Sequence, residues 1–323
     1  MPPQPSPSKP GSGRRSTSVA IEIDGLAKAY GRQRALDGID LEIPTGATCG
    51  LLGPQGAGKT TLARLLAGLE VPTAGSARID GHPIGEPQAT ARLGYIPHPA
   101  GFDEGRTPRQ MLRLAGRLHG IPTSRRERRL ERLLIDLGLE HLGGHAIEHL
   151  DGGHRRRLAL AHALVPDPDH LVVDEPTRGL GPAASRRMRE ALIEKTRERT
   201  LLVLTSIPDD VEAPCERVVG IEDGTIVLDA GVHELAADHG VAIAIGLAGE
   251  LPQRALDELR EHEAVAALRR DPTDADLELW LTDPDEAPAV LRLLVEADAP
   301  VASFDRQPPP LGATVAEHME GQL

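Results

Sequence analysis

The 323-residue sequence predicts an α/β fold with a parallel sheet at its core. Residues 53–60 fit the phosphate-loop pattern G-x-x-x-x-G-K-[ST], and a short apolar run, residues 48–52, leads directly into them. Four leucines then recur at the spacing of one helix face: Leu62, Leu65, Leu66 and Leu69. Strand, glycine turn and helix thus occur in the order that aims the free N–H groups of a helix N-terminus at phosphate.

Further strands are predicted on both sides of this unit. Residues 171–175 and 201–204 are largely apolar runs, typical of strands that are buried on both faces of a parallel sheet. Residues 19–23 and 39–43 alternate apolar with other side chains, as half-buried strands do. The strands at residues 19–23 and 39–43 therefore predict an antiparallel β subdomain ahead of the phosphate loop.

A change of period predicts a helical subdomain at about residues 98–165. One apolar stripe comprises Met111, Leu114, Ala115 and Leu118, and a second comprises Leu130, Leu133, Leu134 and Leu137. The second helix also carries Arg125, Arg126, Arg128, Arg129 and Arg132. These arginines fit a solvated face, with lipid headgroups or a partner as the alternative, and we assign them no site.

The chain beyond residue 240 alternates strands and helices in the order of a small split βαβ (βαββαβ) domain. Strands are predicted at residues 241–246, 265–269, 277–281 and 301–305, helices at 252–262 and 286–297, and a hairpin turn at 271–274. The predicted organisation is a tail over residues 1–18, a large domain over 19–238, a small α+β domain over 241–306 and a tail over 307–323.

Composition narrows the class of protein. A net charge of -13 and 2% aromatic residues disfavour nucleic acid as a partner, because its phosphates require positive patches and its bases stack on aromatic rings. The two cysteines, Cys49 and Cys215, suggest no disulfide framework or metal cluster and fit a reducing cytoplasm.

No apolar stretch approaches the roughly 18 residues of a membrane span. Residues 1–18 lack the apolar core of a secretory signal.

The phosphate loop predicts a site for a nucleoside triphosphate with Mg²⁺. Lys59 is expected to reach the β- and γ-phosphates, and the Thr60 hydroxyl is expected to hold the metal. Asp174, at the end of a predicted buried strand, can complete the metal shell, and the adjacent Glu175 can polarise an attacking water. The alternative is that residues 174–176 only cap the following segment.

With these motifs the chain resembles the nucleotide-binding subunit of an ATP-binding cassette (ABC) transporter over roughly residues 19–236. Tyr30 lies where that family places the aromatic ring that stacks on adenine, and a place in the core is its alternative. Residues 150–154, LDGGH, occupy the position of the family's L-S-G-G-Q motif, and residues 174–177 match its D-E-P-T. Besides Tyr30, the resemblance implies that ATP is bound by Gly53, Pro54, Gln55, Gly56, Ala57, Gly58, Lys59, Thr60 and Thr61.

The single cassette with a C-terminal extension is similar to ATPase subunits of drug and antibiotic exporters of the daunorubicin-resistance type. The resemblance implies a separate transmembrane permease subunit as partner and a location at the cytoplasmic face of the membrane. It also implies a homodimer or heterodimer of ATP-binding subunits that sandwiches two ATP molecules. Asp151, Gly152 and Gly153 would then contact the nucleotide of the partner subunit.

Four positions depart from the family pattern. His98 stands where the Q-loop glutamine is expected, and Ser206 replaces the switch histidine, so both changes affect the nucleotide of the chain itself. An imidazole can still hydrogen-bond water, whereas serine is shorter than histidine and uncharged, so hydrolysis should suffer. Asp151 replaces the L-S-G-G-Q serine and Gly181 the D-loop aspartate, which affects the partner's nucleotide.

The carboxylate of Asp151 would repel the partner's γ-phosphate. Two unit charges about 4 Å apart at an effective dielectric near 20 repel by roughly 4 kcal/mol. Asp151 should therefore oppose closure on the partner's γ-phosphate unless it is protonated or turned away. A helix N-cap is its structural alternative.

Two functions follow from these observations. The first is an ATPase subunit that drives an exporter, with Glu175, His98 and Ser206 as catalytic residues and with slow hydrolysis. The second is a regulatory module that senses ATP without powering transport. A translation or DNA-repair ATPase of the same superfamily fits less well, because the sequence shows no paired cassette, long coiled coil or basic arm.

Overall fold

The computed structural model describes residues 18–212, 214–232, 235, 241–270 and 277–307. Its first sheet is antiparallel and has four strands in the order β2-β1-β4-β5. The strands are β1 (Val19–Tyr30), β2 (Gln33–Pro44), β4 (Ala74–Ile79) and β5 (His82–Pro83). The predicted antiparallel subdomain is confirmed, and both predicted strands are longer than expected.

The second sheet forms the core and has six strands in the order β10-β9-β3-β8-β7-β6. Its strands are β3 (Thr48–Leu52), β6 (Leu93–Ile96), β7 (His170–Asp174), β8 (Thr200–Thr205), β9 (Arg217–Glu222) and β10 (Thr225–Gly231). All neighbours are parallel except β9 and β10. Every residue of β7 and β8 is buried, as predicted for strands covered on both faces. The carboxyl ends of β3, β7 and β8 therefore meet at one edge of the sheet.

Helix α1 (Lys59–Leu66) begins inside the phosphate loop. Leu62, Leu65 and Leu66 are buried, as the apolar stripe predicts. The fourth position of that stripe is wrong, because the helix ends at Leu66 and Leu69 is 66% exposed. Gly68 adopts a φ of 69° just after the helix, a left-handed conformation that terminates helices.

The other helices described for the core are α2 (Pro87–Thr90), α3 (Pro108–Leu118), α4 (Thr123–Asp136), α5 (Gly152–Leu164), α6 (Pro182–Thr196) and α7 (Asp209–Glu212), with 3-10 turns at Glu140–Leu142 and Ile147–His149. The apolar stripe predicted for α4 is confirmed. The stripe predicted for α3 is confirmed in part: Ala115 is buried and Met111 packs against the core, whereas Leu118 is 78% exposed. Leu112, which was not predicted, is fully buried. Apolar residues lie on more than one face of α3, so its period alone does not select the buried one.

The arginines of α4 are partly engaged within the chain. The Arg129 guanidinium donates to the carbonyl of Leu164 at 2.8 Å and pairs with Asp167. Arg125, Arg128, Arg129 and Arg132 also line a cavity of about 390 Å³ beside α4.

The third sheet contains β11 (Val241–Leu247), β12 (Val265–Arg270), β13 (Leu277–Leu281) and β14 (Val301–Gln307), with α8 (Gln253–Glu261), a 3-10 turn (Pro284–Glu286) and α9 (Ala287–Glu296) between strands. The order β12-β13-β11-β14 with antiparallel neighbours is that of a split βαβ unit, as predicted. Leu277, Leu279 and Leu281 all face the core.

Several predictions fall outside the described residues, namely the turn at 271–274 and nearly all of both tails. The domain limits at residues 18, 238 and 306 stay predictions. Among the described residues, none of the helices is both long enough and apolar enough to cross a membrane.

Candidate nucleotide site

The loop between β3 and α1 needs its glycines for steric reasons. A Cβ at Gly53 would lie 2.1 Å from the carbonyl oxygen of Ile221, and one at Gly58 would lie 2.3 Å from that of Ala35. Gly56 and Gly58 also have φ values of 89° and 103°, which L side chains rarely adopt. The loop can therefore close tightly at the start of α1.

Lys59 is buried and points back into the loop. Its Nζ donates to the carbonyl oxygens of Gly53 at 2.7 Å and Pro54 at 2.8 Å, and it lies 3.7 Å from Oε1 of Glu175. Burial lowers the pKa of Lys59, while the carboxylates of Glu175 and Asp174 oppose that shift. The ammonium is thus held between the loop and the acid pair.

Thr60 and Asp174 meet as the sequence predicts. The Thr60 hydroxyl donates to Oδ2 of Asp174 at 2.8 Å. Asp174 is fully buried, and among the described residues its Oδ1 has no hydrogen-bond partner. Burial raises the pKa of Asp174, and the bond from Thr60 opposes the rise. A hydroxyl beside an unpartnered carboxylate oxygen is a hard oxygen donor set, which fits Mg²⁺.

Glu175 is held by the end of the neighbouring strand. Its Oε2 accepts hydrogen bonds from the backbone N–H and the hydroxyl of Ser206, both at 3.2 Å. Its Oε1 lies 3.9 Å from Nη1 of Arg178. Glu175 has a φ of 46°, uncommon for a residue with a Cβ. The next helix, α6, begins only at Pro182, so the structure does not support a mere capping role for residues 174–176.

A cavity of about 380 Å³ lies over the loop. It is lined by Tyr30, Gln33, Ala35, Gln55, Gly56, Gly58, Lys59, Thr60, Thr61, Glu175 and Arg178. Tyr30 is 46% exposed and its hydroxyl donates to Glu70, so the alternative of a core position is wrong. Three of the predicted nucleotide contacts, Gly53, Pro54 and Ala57, do not line the cavity.

Three of the residues that line the cavity, Gln33, Ala35 and Arg178, were not predicted from the sequence. Gln33 and Ala35 follow Tyr30 across the β1–β2 turn, so proximity in sequence could have indicated them. Arg178 directly follows the D-E-P-T residues, but nothing in the sequence shows where its side chain points.

His98 lies just beyond β6 and is not among the residues that line the cavity. Its Nδ1 contacts the guanidinium of Arg156, a neighbour that the sequence did not indicate. Burial, followed by the charges of Arg156 and Arg178, lowers the pKa of His98. The imidazole is therefore neutral at pH 7.

Asp151 is the N-cap of α5, the structural alternative offered by the sequence. Its Oδ1 accepts a hydrogen bond from the backbone N–H of His154 at 2.7 Å, and this bond lowers the pKa of Asp151. The side chain is 68% exposed and charged at neutral pH. Gly152 and Gly153 begin the first turn of α5, and a Cβ at these positions would lie 3.3 Å from Leu180 and 3.2 Å from Ala184, respectively. Their contact with a partner's nucleotide stays a prediction.

Gly181 is the N-cap of α6 and provides no side-chain cap for that helix. The position where the family has its D-loop aspartate thus lies at a helix start, where an aspartate would also serve as a cap.

A glycine loop between a buried strand and a helix, with an acid pair at the end of a parallel strand in the same sheet, defines a P-loop nucleotide-binding protein. A family model described as "ABC transporter" matches residues 36–178. The Nod factor export ATP-binding protein I of Rhizobium sp. (strain N33) is 33% identical over 279 residues, which are 85% of this chain and 90% of that protein. The daunorubicin/doxorubicin resistance ATP-binding protein DrrA of Streptomyces peucetius is 33% identical over 291 residues, 88% of each chain. The chain belongs to the ATP-binding cassette family.

Solved structures agree on the fold. The ATP-binding subunit of an ABC transporter superimposes with a TM-score of 0.61 at 26% identity, covering 68% of this chain and 92% of that one. An ATP-binding cassette solved as a dimer with ADP and phosphate superimposes with a TM-score of 0.60 at 22% identity, covering 66% of this chain and 98% of that one. The predicted ABC ATPase core is confirmed.

Proposed function

We propose that the chain is the ATP-binding subunit of an ABC exporter, binding MgATP and coupling its binding and hydrolysis to transport through a separate transmembrane permease subunit. The observation that carries the proposal is the convergence of Lys59, the Thr60–Asp174 pair and Glu175 at one edge of the core sheet. Relatives named for Nod factor export and daunorubicin resistance support the export direction, since they match over most of their length. Such a subunit would work at the cytoplasmic face of the membrane.

Three residues that line the cavity, Lys59, Tyr30 and Thr60, have distinct roles in binding. Lys59 exchanges its two carbonyl partners for the β- and γ-phosphates. The free N–H groups at the start of α1 donate to the phosphates. Tyr30 offers an exposed ring on which adenine stacks. Thr60 and Asp174 are the residues that would hold Mg²⁺, and the metal would neutralise phosphate charge when bound.

Glu175 is the group that orients and deprotonates the attacking water. Ser206 hydrogen-bonds Glu175. Its side chain is too short to contact the γ-phosphate in the way that a histidine at this position would. The neutral His98 is the residue of the Q-loop position that can bind water. Hydrolysis is therefore slow, whereas nucleotide binding, which does not use Ser206, is retained.

A second subunit completes each site. Asp151, Gly152 and Gly153 at the start of α5 face the nucleotide of the partner subunit in a homodimer or heterodimer. Since Asp151 is charged, it repels the γ-phosphate and weakens the ATP-dependent closure of the dimer.

Calorimetry and turnover measurements on the full chain test this proposal. We expect the wild-type chain to bind MgATP and Lys59→Ala to abolish that binding. Glu175→Gln should retain binding and eliminate the slow residual turnover. Absence of binding, or binding that Lys59→Ala leaves intact, would overturn the nucleotide site. Turnover at the rate of ordinary cassettes, abolished by Glu175→Gln, would refute slow hydrolysis alone.

The second candidate is a regulatory module that binds ATP without driving transport. The charged Asp151 and the Ser206–Glu175 contact favour it, because both act against turnover and neither blocks the binding cavity. Reconstitution into vesicles with a candidate transmembrane permease subunit separates the motor subunit from the regulatory module. ATP-stimulated transport that Glu175→Gln abolishes supports the motor subunit, and transport that persists in Glu175→Gln supports the regulatory module.

A further inference from the structure

Arg178 contributes a positive charge to the cavity that none of the motifs requires. It directly follows the D-E-P-T residues and lines the cavity together with Lys59, Thr60 and Glu175. Lys59 and Arg178 are the two cationic side chains among the residues that line it.

The guanidinium of Arg178 is available for a ligand. Its side chain is 37% exposed, and within the described part of the chain its one close carboxylate is Glu175, at 3.9 Å, which is too long for a hydrogen bond. Lys59, by contrast, already donates to two carbonyl oxygens. Arg178 thus retains its N–H donors, in a fork that matches two phosphate oxygens.

The position of Arg178 corresponds to the terminal phosphate. Nζ of Lys59 and Nη1 of Arg178 lie 3.7 and 3.9 Å from the same oxygen, Oε1 of Glu175. The two cations are therefore no more than about 8 Å apart. Two donors at that separation can share one phosphate group, since each hydrogen bond spans about 2.8 Å. Glu175 orients the water that attacks the γ-phosphate, so the two cations beside it lie where the γ-phosphate binds.

The electrostatics of the cavity agree with this placement. The charge of Arg178 contributes to lowering the pKa of both Lys59 and His98, so its field reaches the phosphate loop and the Q-loop position. An anion between Arg178 and Lys59 would relieve the repulsion between the two cations. A diphosphate, which ends one phosphate earlier, would leave Arg178 beside Glu175.

We propose that Arg178 binds the γ-phosphate of the nucleotide held by its own chain and makes the site selective for the triphosphate over the diphosphate. The inference rests on the proposed function, since it deepens the account of the same site. Arg178 thereby supplies a cationic γ-phosphate contact in a chain whose switch position is the uncharged Ser206.

Calorimetric titration of the full chain with MgATP and with MgADP tests the proposal. Arg178→Gln should weaken MgATP binding by about 10- to 100-fold, as expected for the loss of hydrogen bonds between charged groups, and change MgADP binding by less than about threefold. Arg178→Lys keeps the charge without the fork and should recover part of the MgATP affinity. Arg292→Gln is the matched control, because it removes the same charge from the exposed surface of α9 and should leave both affinities unchanged.

Equal weakening of MgATP and MgADP by Arg178→Gln, or no weakening of either, would overturn the inference. Thermal unfolding without nucleotide checks that the variants fold. If Arg178→Gln does not fold, Arg178→Lys decides, because a loss confined to MgATP supports the γ contact and an equal loss contradicts it. A wild-type chain that binds MgATP in a manner sensitive to Lys59→Ala, yet shows no selectivity from Arg178, leaves the proposed function standing without this inference.

Discussion

Ser206 donates two hydrogen bonds to one oxygen of Glu175, from its backbone N–H and from its hydroxyl, each 3.2 Å long. The hydroxyl of the preceding Thr205 lies 3.4 Å from the same oxygen. The parallel pairing of β7 with β8 brings these residues together, because both strands end at the same edge of the sheet. The residue at the switch position is therefore tied to the acid of its own chain.

Restoring a histidine at this position should increase turnover. We expect Ser206→His to raise the MgATP hydrolysis rate at least about tenfold, because the imidazole can reach the γ-phosphate and assist proton transfer. The affinity for MgATP should stay within about threefold, measured by titration of the same preparation. Ser206→Ala is the control, since it removes the hydroxyl bond and keeps the backbone bond to Glu175. A histidine variant no faster than the alanine variant would contradict the assigned role.

Replacing Asp151 by serine should strengthen the ATP-dependent dimer. The repulsion of roughly 4 kcal/mol between Asp151 and a γ-phosphate is removed, and a hydroxyl donor takes its place. We expect the dimerisation constant with MgATP to rise at least tenfold in the Glu175→Gln background, which prevents hydrolysis, as measured by analytical ultracentrifugation.

Stability separates this effect from the capping role of Asp151. Serine caps helices about as well as aspartate, so Asp151→Ser should leave the free energy of unfolding nearly unchanged. Asp151→Ala should lose about 1 kcal/mol, because the bond to the His154 N–H disappears. If dimerisation is unchanged in Asp151→Ser, the aspartate does not oppose closure.

The sequence predicts the features of this site that depend on local pattern and strand direction. The strand, glycine loop and helix around Lys59 follow from their spacing, and the meeting of Thr60 with Asp174 follows from parallel strands that end at one edge. The placement of Arg178 in the cavity depends on side-chain direction after a residue with positive φ, which no spacing encodes. Spacing is also insufficient for α3. Packing against the neighbouring helices decides that Leu112 is buried and Leu118 is exposed.

Tyr30 should bind the base through its ring and not through its hydroxyl. Tyr30→Ala should weaken MgATP binding by roughly 1–3 kcal/mol, the usual contribution of stacking between a base and an aromatic side chain. Tyr30→Phe keeps the ring, loses the hydroxyl with its bond to Glu70, and should stay within about threefold of wild type in a fluorescence titration. Inorganic triphosphate, which has no base, is the control ligand, and its affinity should be the same in all three proteins. A phenylalanine variant as weak as the alanine variant would show that stacking is not the interaction lost.

The stability of the protein should depend on pH through His98. Burial and the charges of Arg156 and Arg178 hold the pKa of His98 below its ordinary value of 6.5. The unfolded chain therefore binds more protons than the folded chain as the pH falls below 6.5. The stabilising contribution of neutral His98 is fully present above pH 6.5 and is lost as the pH falls through the folded pKa.

His98→Gln should remove this dependence, because glutamine does not titrate and can still accept a hydrogen bond from Arg156. We expect the free energy of unfolding of the wild type, relative to that of His98→Gln, to be constant between pH 7 and 8 and to decline between pH 6.5 and 5. Urea denaturation at half-unit pH steps measures the difference, and an NMR titration of the His98 imidazole in the folded chain should give a midpoint below 6.5. A relative stability that is flat across the whole range, or that rises toward acid, would show that the buried arginine contact does not keep His98 neutral.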